Sequence, residues 1–266
     1  MPNQLPWPLQ RRLTAFINNK IYMQGLLKCA RYAFSPNKLK YCGPVDKNYQ
    51  IFSHIVEQQA DQGLGELLDD FQVMYPYLKL IADENNIQDP LDERVVEAYW
   101  IGNELLEKVK LKGFWDHLLE KQKLKSRFRE KDLKWIVGKV PMGAKVHHSF
   151  HVFNIWNRTG HEAKPHTIPT MDNCRISWGE VIGKSKDKIK VNTQKLEYID
   201  GQLKLKSGVV KEISWRIGDK ELINDIKKKD LVSFHWGWVC EKLNKFEVTN
   251  LEYYTNYHLK LANLTI

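Results

Sequence analysis

The sequence changes its hydrophobic rhythm near residue 140, and no other feature constrains the fold as much. Before that point apolar residues recur every three and four positions; after Pro141, Met142 and Gly143 they fall into short β-rich runs. We therefore expect an α+β protein with an α-helical N-terminal domain over 1–140. A small β-barrel domain (OB-like) with a C-terminal helix is expected over 141–266. In the helical half, Leu64, Leu67, Leu68, Phe71, Met74, Tyr75, Leu78 and Ile81 keep one helical face, with Pro76 placed to bend or split it. Asp89 as N-cap, Pro90 at the first helical position and Asp92 in the first turn predict a helix running through Val95, Tyr99 and Leu105. Residues 14–34 also read as helix, Pro36, Gly43 and Pro44 as a loop, and 114–137 as a basic helix. In the second half the expected strands are 146–156, 174–182, 189–199, 202–208, 209–217 and 231–240, with Asp200-Gly201 as a hairpin turn. Lys245–Ala262 reads as the last helix.

Charge is segregated along the chain. Glu57 to Glu107 carries 13 acidic against 2 basic residues, whereas Lys108 to Lys139 carries 11 basic against 4 acidic. Such a surface suits plain solvated helices, an acidic protein partner or a nucleic acid. The exposed basic candidates for partner binding are Lys121, Lys123, Lys125, Arg127 and Arg129, with Trp135 as an aromatic that an RNA-binding module would use. No stretch approaches the roughly 20 apolar residues that span a bilayer, and the N-terminus lacks the apolar core of a signal peptide. A soluble cytoplasmic protein with no membrane partner is expected. The four cysteines, Cys29, Cys42, Cys174 and Cys240, contain no CxxC pair and read as free thiols.

Nucleophile elbows, phosphate loops, dinucleotide fingerprints and HExxH motifs are all absent, so the common catalytic classes lose their usual support. Three features remain. His147, His148 and His151 lie within five positions. On a strand, His147 and His151 stand roughly 13 Å apart and His148 faces the other way. On a helix, His147 and His151 sit one turn apart and can share a metal, but Pro141, Gly143 and the β-branched and aromatic neighbours favour the strand. His161 or His166 from the next loop would then add a ligand. In 231–240, alternation places Val232, Phe234, Trp236, Trp238 and Cys240 on a buried face and His235 on the opposite one, beside Gly237 and available to a ligand. Cys174, at the expected start of a strand, is either a small buried hydrophobe or a thiolate ligand for a soft metal.

The run Cys174, Arg175, Ile176, Ser177, Trp178, Gly179, Glu180, Val181, followed by Asp230, Leu231, Val232, Ser233, Phe234, His235, Trp236 and Gly237, resembles the HypC/HupF family of nickel-iron hydrogenase maturation chaperones. That family opens on a cysteine leading into a strand that ends Gly-x-Val. It later carries a Gly-Asp-Tyr-Val-Leu-Val-His-x-Gly-Phe-Ala signature before a helix. The resemblance covers about 171–262, and departs from the pattern in Lys229 for the signature glycine and in a cysteine that is internal rather than N-terminal. It implies a small HypC-like barrel and a carrier without turnover of its own. The implied cargo is iron bearing cyanide and carbon monoxide, bound by Cys174 with His235 close by. The implied partners are the hydrogenase large subunit or a maturation scaffold. The whole chain, through Tyr41 to Pro44, Asp89 to Asn103 and His147 to Phe153, also resembles an uncharacterised prokaryotic family with no assigned activity. The expected function is thus binding and carrier work in nickel-iron hydrogenase maturation. A metal-dependent enzyme built on the histidine cluster and a basic RNA-binding module are the alternatives.

Overall fold

A computed structural model describes residues 7–155, 157–158 and 164–266, with side chains described for 22–155 and 166–266. The fold is mixed α+β, with a helical N-terminal part, a five-stranded sheet and a C-terminal helix. The first half runs α1 (Trp7–Lys38), α2 (Asn48–Glu57), α3 (Gln62–Asp69), α4 (Met74–Glu84), α5 (Glu93–Trp100), α6 (Leu105–Lys108) and α7 (Leu111–Asp116). A π-helical turn (His117–Lys121), α8 (Leu124–Arg127) and α9 (Glu130–Val137) complete it. Helix α1 packs on α2, α3 and α5, and its C-terminal turns also reach the sheet. The expected single face from Leu64 to Ile81 is split between α3 and α4, and Pro76 lies in the first turn of α4, where its missing N–H costs no helical bond.

Three helical expectations are corrected. Pro36, expected in a loop, lies inside α1. The helix expected from Asp89 through Leu105 ends at Trp100. It also begins one turn later: Asp89 accepts the Leu91 N–H at 2.8 Å and caps a preceding turn, while Asp92 is the N-cap of α5 through the Arg94 N–H at 3.0 Å. The basic helix expected over 114–137 is four short pieces, broken where Lys123 takes φ 54° and where Phe128 and Arg129 turn extended. Its apolar residues keep helical spacing within each piece, which is why the breaks are silent in the pattern.

The second half holds α10 (His148–Asn154), a short pair β1 (Asn157–Arg158) and β2 (Lys164–Pro165), and α11 (Ile168–Cys174). The strands are β3 (Ser177–Lys184), β4 (Lys188–Ile199), β5 (Gln202–Ser214), β6 (Arg216–Ile217), β7 (Lys220–Glu221), β8 (Leu231–His235) and β9 (Trp238–Lys242), and α12 (Lys245–Ala262) ends the chain. The strand expected over the histidine cluster is a helix. All seven residues of α10 are buried, polar and apolar alike, so no amphipathic period betrays it. Cys174 is not at a strand start but closes α11, whose entry is fixed by a capping box of Thr167 with Thr170.

The five longer strands pair in the order β3, β4, β5, β9, β8, with β8 returning to β3; β5 meets β9 through one parallel pair, Ser214 with Trp238. The Asp200-Gly201 turn joins β4 to β5 as expected, both residues at positive φ. The expected breaks elsewhere move. Gly208 does not end a strand, because β5 runs unbroken past it, and the strand expected over 231–240 folds back at Trp236 (φ 49°) and Gly237 (φ 77°) into the β8–β9 hairpin. The apolar interior of these strands, including Val181, Val191, Val232 and Val239, belongs to the same packed cluster as Leu26, Tyr99, Trp100 and Phe150 of the helices. Among the described residues no helix is long and apolar enough to cross a membrane.

Candidate metal centre

Three segments far apart in sequence converge where α1 meets the β8–β9 hairpin. One ligand-capable atom each from His148, Cys174 and His235 lies within 4.8 Å of the others. Each is placed by local chemistry. The His147 ring caps α10, accepting the Ser149 N–H at Nδ1 over 3.1 Å, and this sets His148 as the first helical residue. Cys174 ends α11, and its corner is tied to the hairpin by Trp236 N–H donating to the Asn173 carbonyl at 2.9 Å. The same corner is held from behind by Asp172, which accepts from Arg175 Nε at 3.0 Å, Lys211 Nζ at 2.6 Å and the Leu196 N–H at 2.9 Å. Arg175 and Lys211 keep the Asp172 carboxyl below its usual range despite burial, which pulls the other way. His235 is the last residue of β8 and is 1% exposed.

His235 therefore departs from expectation in one respect. Its face of the strand does not meet solvent, because α1 covers it: Tyr32 and Ser35 both bond to this residue. It is nevertheless set up as a ligand. Nδ1–H donates to the Tyr32 carbonyl at 2.8 Å, which leaves the Nε2 lone pair, and Nε2 is buried without a hydrogen-bond partner among the described residues. A metal-binding imidazole is typically fixed in this way by a carbonyl on its other nitrogen. His148 donates Nε2–H to the Cys174 carbonyl at 2.8 Å and so accepts from the Tyr99 hydroxyl at Nδ1, 3.2 Å away. Its ring lies 5.3 Å from that of His235, at 80°. Burial lowers the pKa of His235 to about 4 and takes that of His148 well below the ordinary value. Both imidazoles are neutral near pH 7, the form that binds metals.

The three donors line a cavity of about 60 Å³ together with Cys42, Phe71, Met74, Tyr99 and Trp100. A much larger groove of about 940 Å³ lies on the acidic side among Glu66, Asp69, Asp89 and Asp92. No group of three metal ligands gathers there among the described residues. Chemistry, not volume, points to the smaller cavity.

The remaining sequence candidates fall elsewhere. His147 joins a buried chain with Ser149 and His258, the Ser149 hydroxyl lying 2.7 Å from each ring. His151 lines the cavity wall but pairs with the Tyr77 hydroxyl at 3.0 Å. Burial takes the pKa of each down to about 3. His166 is half-buried at the same cavity, and His161 lies outside the described residues. Lys121, Lys123, Lys125, Arg127 and Arg129 are exposed and none lines the cavity, while Trp135 is 40% exposed with Lys131 4.9 Å over its ring. Sequence reasoning missed Tyr99 and the Tyr32 carbonyl, which orient the two histidines. A backbone acceptor leaves no mark on a sequence, and Tyr99 reads only as one more core aromatic.

The chain belongs to a family of unknown function, DUF6390, whose family model matches residues 22–266. This agrees with the expected uncharacterised family and names no activity. Neither the curated proteins nor the solved structures contain a match.

Proposed function

We propose that this family member is a metal-binding carrier without turnover of its own, holding a soft transition metal through His148, Cys174 and His235. The observation that carries the reading is the convergence of the three donors on one cavity, with His235 Nε2 buried and aimed there without a partner. Two neutral imidazoles and a thiolate suit iron, zinc or copper rather than magnesium or calcium. The half-buried Cys174 gives the cargo a soft anchor at the edge of the site.

The finer form of the proposal places this work in nickel-iron hydrogenase maturation. Its support is the resemblance of 171–262 to the HypC/HupF chaperones, whose cysteine and histidine correspond to Cys174 and His235. These residues meet at one cavity although 61 positions separate them. The cargo is then an iron centre carrying cyanide and carbon monoxide. Three protein donors would leave the other positions of a six-coordinate iron to such small ligands, which would face the apolar side chains of Phe71, Met74 and Trp100. The partners are the large subunit or an assembly scaffold, with the exposed Lys121, Lys123, Lys125, Arg127 and Arg129 as a docking face for acidic surface.

The test is anaerobic purification of the full chain from a host that makes a nickel-iron hydrogenase, with infrared spectra in the cyanide and carbonyl region and elemental analysis. Those bands together with iron, and their loss in Cys174→Ala, are expected. Zinc in place of iron, with no such bands, removes the hydrogenase reading and keeps the metal centre. A protein free of metal under these conditions removes both.

A further inference from the structure

No carboxylate, lysine or arginine lines the cavity among the described residues. A divalent ion bound by two neutral imidazoles and one thiolate keeps one positive charge there, and an unpaired charge out of water is costly. A second anionic donor removes that cost. Cys42, on the loop 39–47 between α1 and α2, is the other thiol lining this cavity; its sulfur is not among the donor atoms that lie within 4.8 Å of one another, so ligation requires the loop to close in on the ion.

The loop is held in place by three separate contacts. Asn37 Nδ2 donates to the carbonyls of Cys42 at 3.0 Å and Pro44 at 2.8 Å, closing the turn over the end of α1. The Tyr41 ring lies 4.5 Å from that of Trp236, the residue after His235. A Cβ at Gly43 would stand 2.3 Å from the Phe71 ring, so the loop comes this close to the cavity wall only with glycine there. Independently, the buried and unpartnered His235 Nε2 marks the cavity as a place where a ligand is missing from the hydrogen-bond account.

We propose that Cys42 is a fourth protein ligand. When a divalent cation enters without small exogenous ligands, Cys42 joins His148, Cys174 and His235 in the four-coordinate, two-histidine and two-cysteine set that zinc and cobalt favour. Each thiol gives its proton to solvent as its sulfur–metal bond forms, and no electron is transferred. Two thiolates then balance the charge of the ion. The inference rests on the metal-centre reading above and deepens it.

The experiment is anaerobic titration of the full chain with cobalt(II) alone, followed through the sulfur-to-cobalt charge-transfer absorption, in the natural protein and in Cys42→Ser, Cys174→Ser and the double variant. One cobalt per chain is expected. Each single variant loses about half of the band, the double variant loses all of it, and affinity in Cys42→Ser falls about tenfold or more. Circular dichroism and melting of each variant show that the fold persists, and Cys42→Ala gives the same spectrum as Cys42→Ser. A band untouched by Cys42→Ser and abolished by Cys174→Ser overturns the fourth ligand while the metal centre stands. A folded natural protein that takes up no cobalt overturns both.

Discussion

Tyr99 decides how well His148 can serve as a ligand. To present Nε2 to a metal, His148 must release the Cys174 carbonyl and carry its proton on Nδ1, and the Tyr99 oxygen 3.2 Å away is the acceptor in place. Tyr99→Phe removes that acceptor. Zinc affinity, read by competition with a chromogenic chelator, is expected to fall about 10- to 100-fold with little change in circular dichroism. An unchanged affinity would mean that His148 Nε2 stays on the Cys174 carbonyl and does not ligate. His147, its neighbour in sequence, gives the opposite result. Its ring caps α10 and bonds Ser149, so His147→Ala is expected to cost about 1 kcal/mol or more in urea unfolding while metal stoichiometry stays at that of the natural protein. Cys174→Ala should abolish the cyanide and carbonyl bands of the proposed iron cargo and leave the melting temperature within a few degrees, since a half-buried thiol at a helix end contributes little packing.

Among the elements, those with local signals were legible. Asp200-Gly201 sets its own hairpin, and α12 occupies the residues its pattern and the Asn244–Glu247 capping box require. Elements fixed by burial on all sides were not. The residues of α10 are uniformly buried, polar and apolar alike, and a segment with no exposed face carries no period that separates helix from strand. Trp236-Gly237 hid a turn because tryptophan seldom adopts positive φ, so the strand read straight through. The misreading of α10 also hid the site: a strand turns His148 away from its neighbours in the cluster, whereas the helix that forms turns it toward Cys174 and His235. That Cys174 and His235 belong together was visible only through the family resemblance. The corner that carries Cys174 depends on a buried ion network. Arg175 is 1% exposed, and Asp172→Ala leaves both it and Lys211 without their carboxylate. A loss of about 3–5 kcal/mol in denaturant unfolding is expected. A loss below about 1 kcal/mol would show that water replaces the carboxylate.

For the whole molecule, buried histidine sets the response to acid. His117, His147, His151 and His258, all outside the three-donor cluster, have pKa values lowered by burial; for the first three the folded value is about 3. In the unfolded chain they titrate near 6.5. Below about pH 6.5 the unfolded state therefore binds more protons, and stability falls as pH drops toward 3. Each contributes about 1.4 kcal/mol per pH unit, so the four together remove about 5–6 kcal/mol by pH 5.5, comparable with the whole stability of many domains. Melting temperature measured between pH 7.5 and 5 is expected to fall steeply below 6.5. A flat profile would mean that these rings are protonated in the folded state.

The bonds from His235 to Tyr32 and Ser35 fasten the hairpin to the end of α1, on the side of the cavity where the imidazole waits. On the carrier reading proposed above, a cargo held by His235 would lie beside this seam between helix and hairpin, and its release would draw on local opening there. A recipient protein that pries the seam apart would collect the cargo quickly, while a small-molecule chelator waiting in solution would have to wait for the seam to breathe.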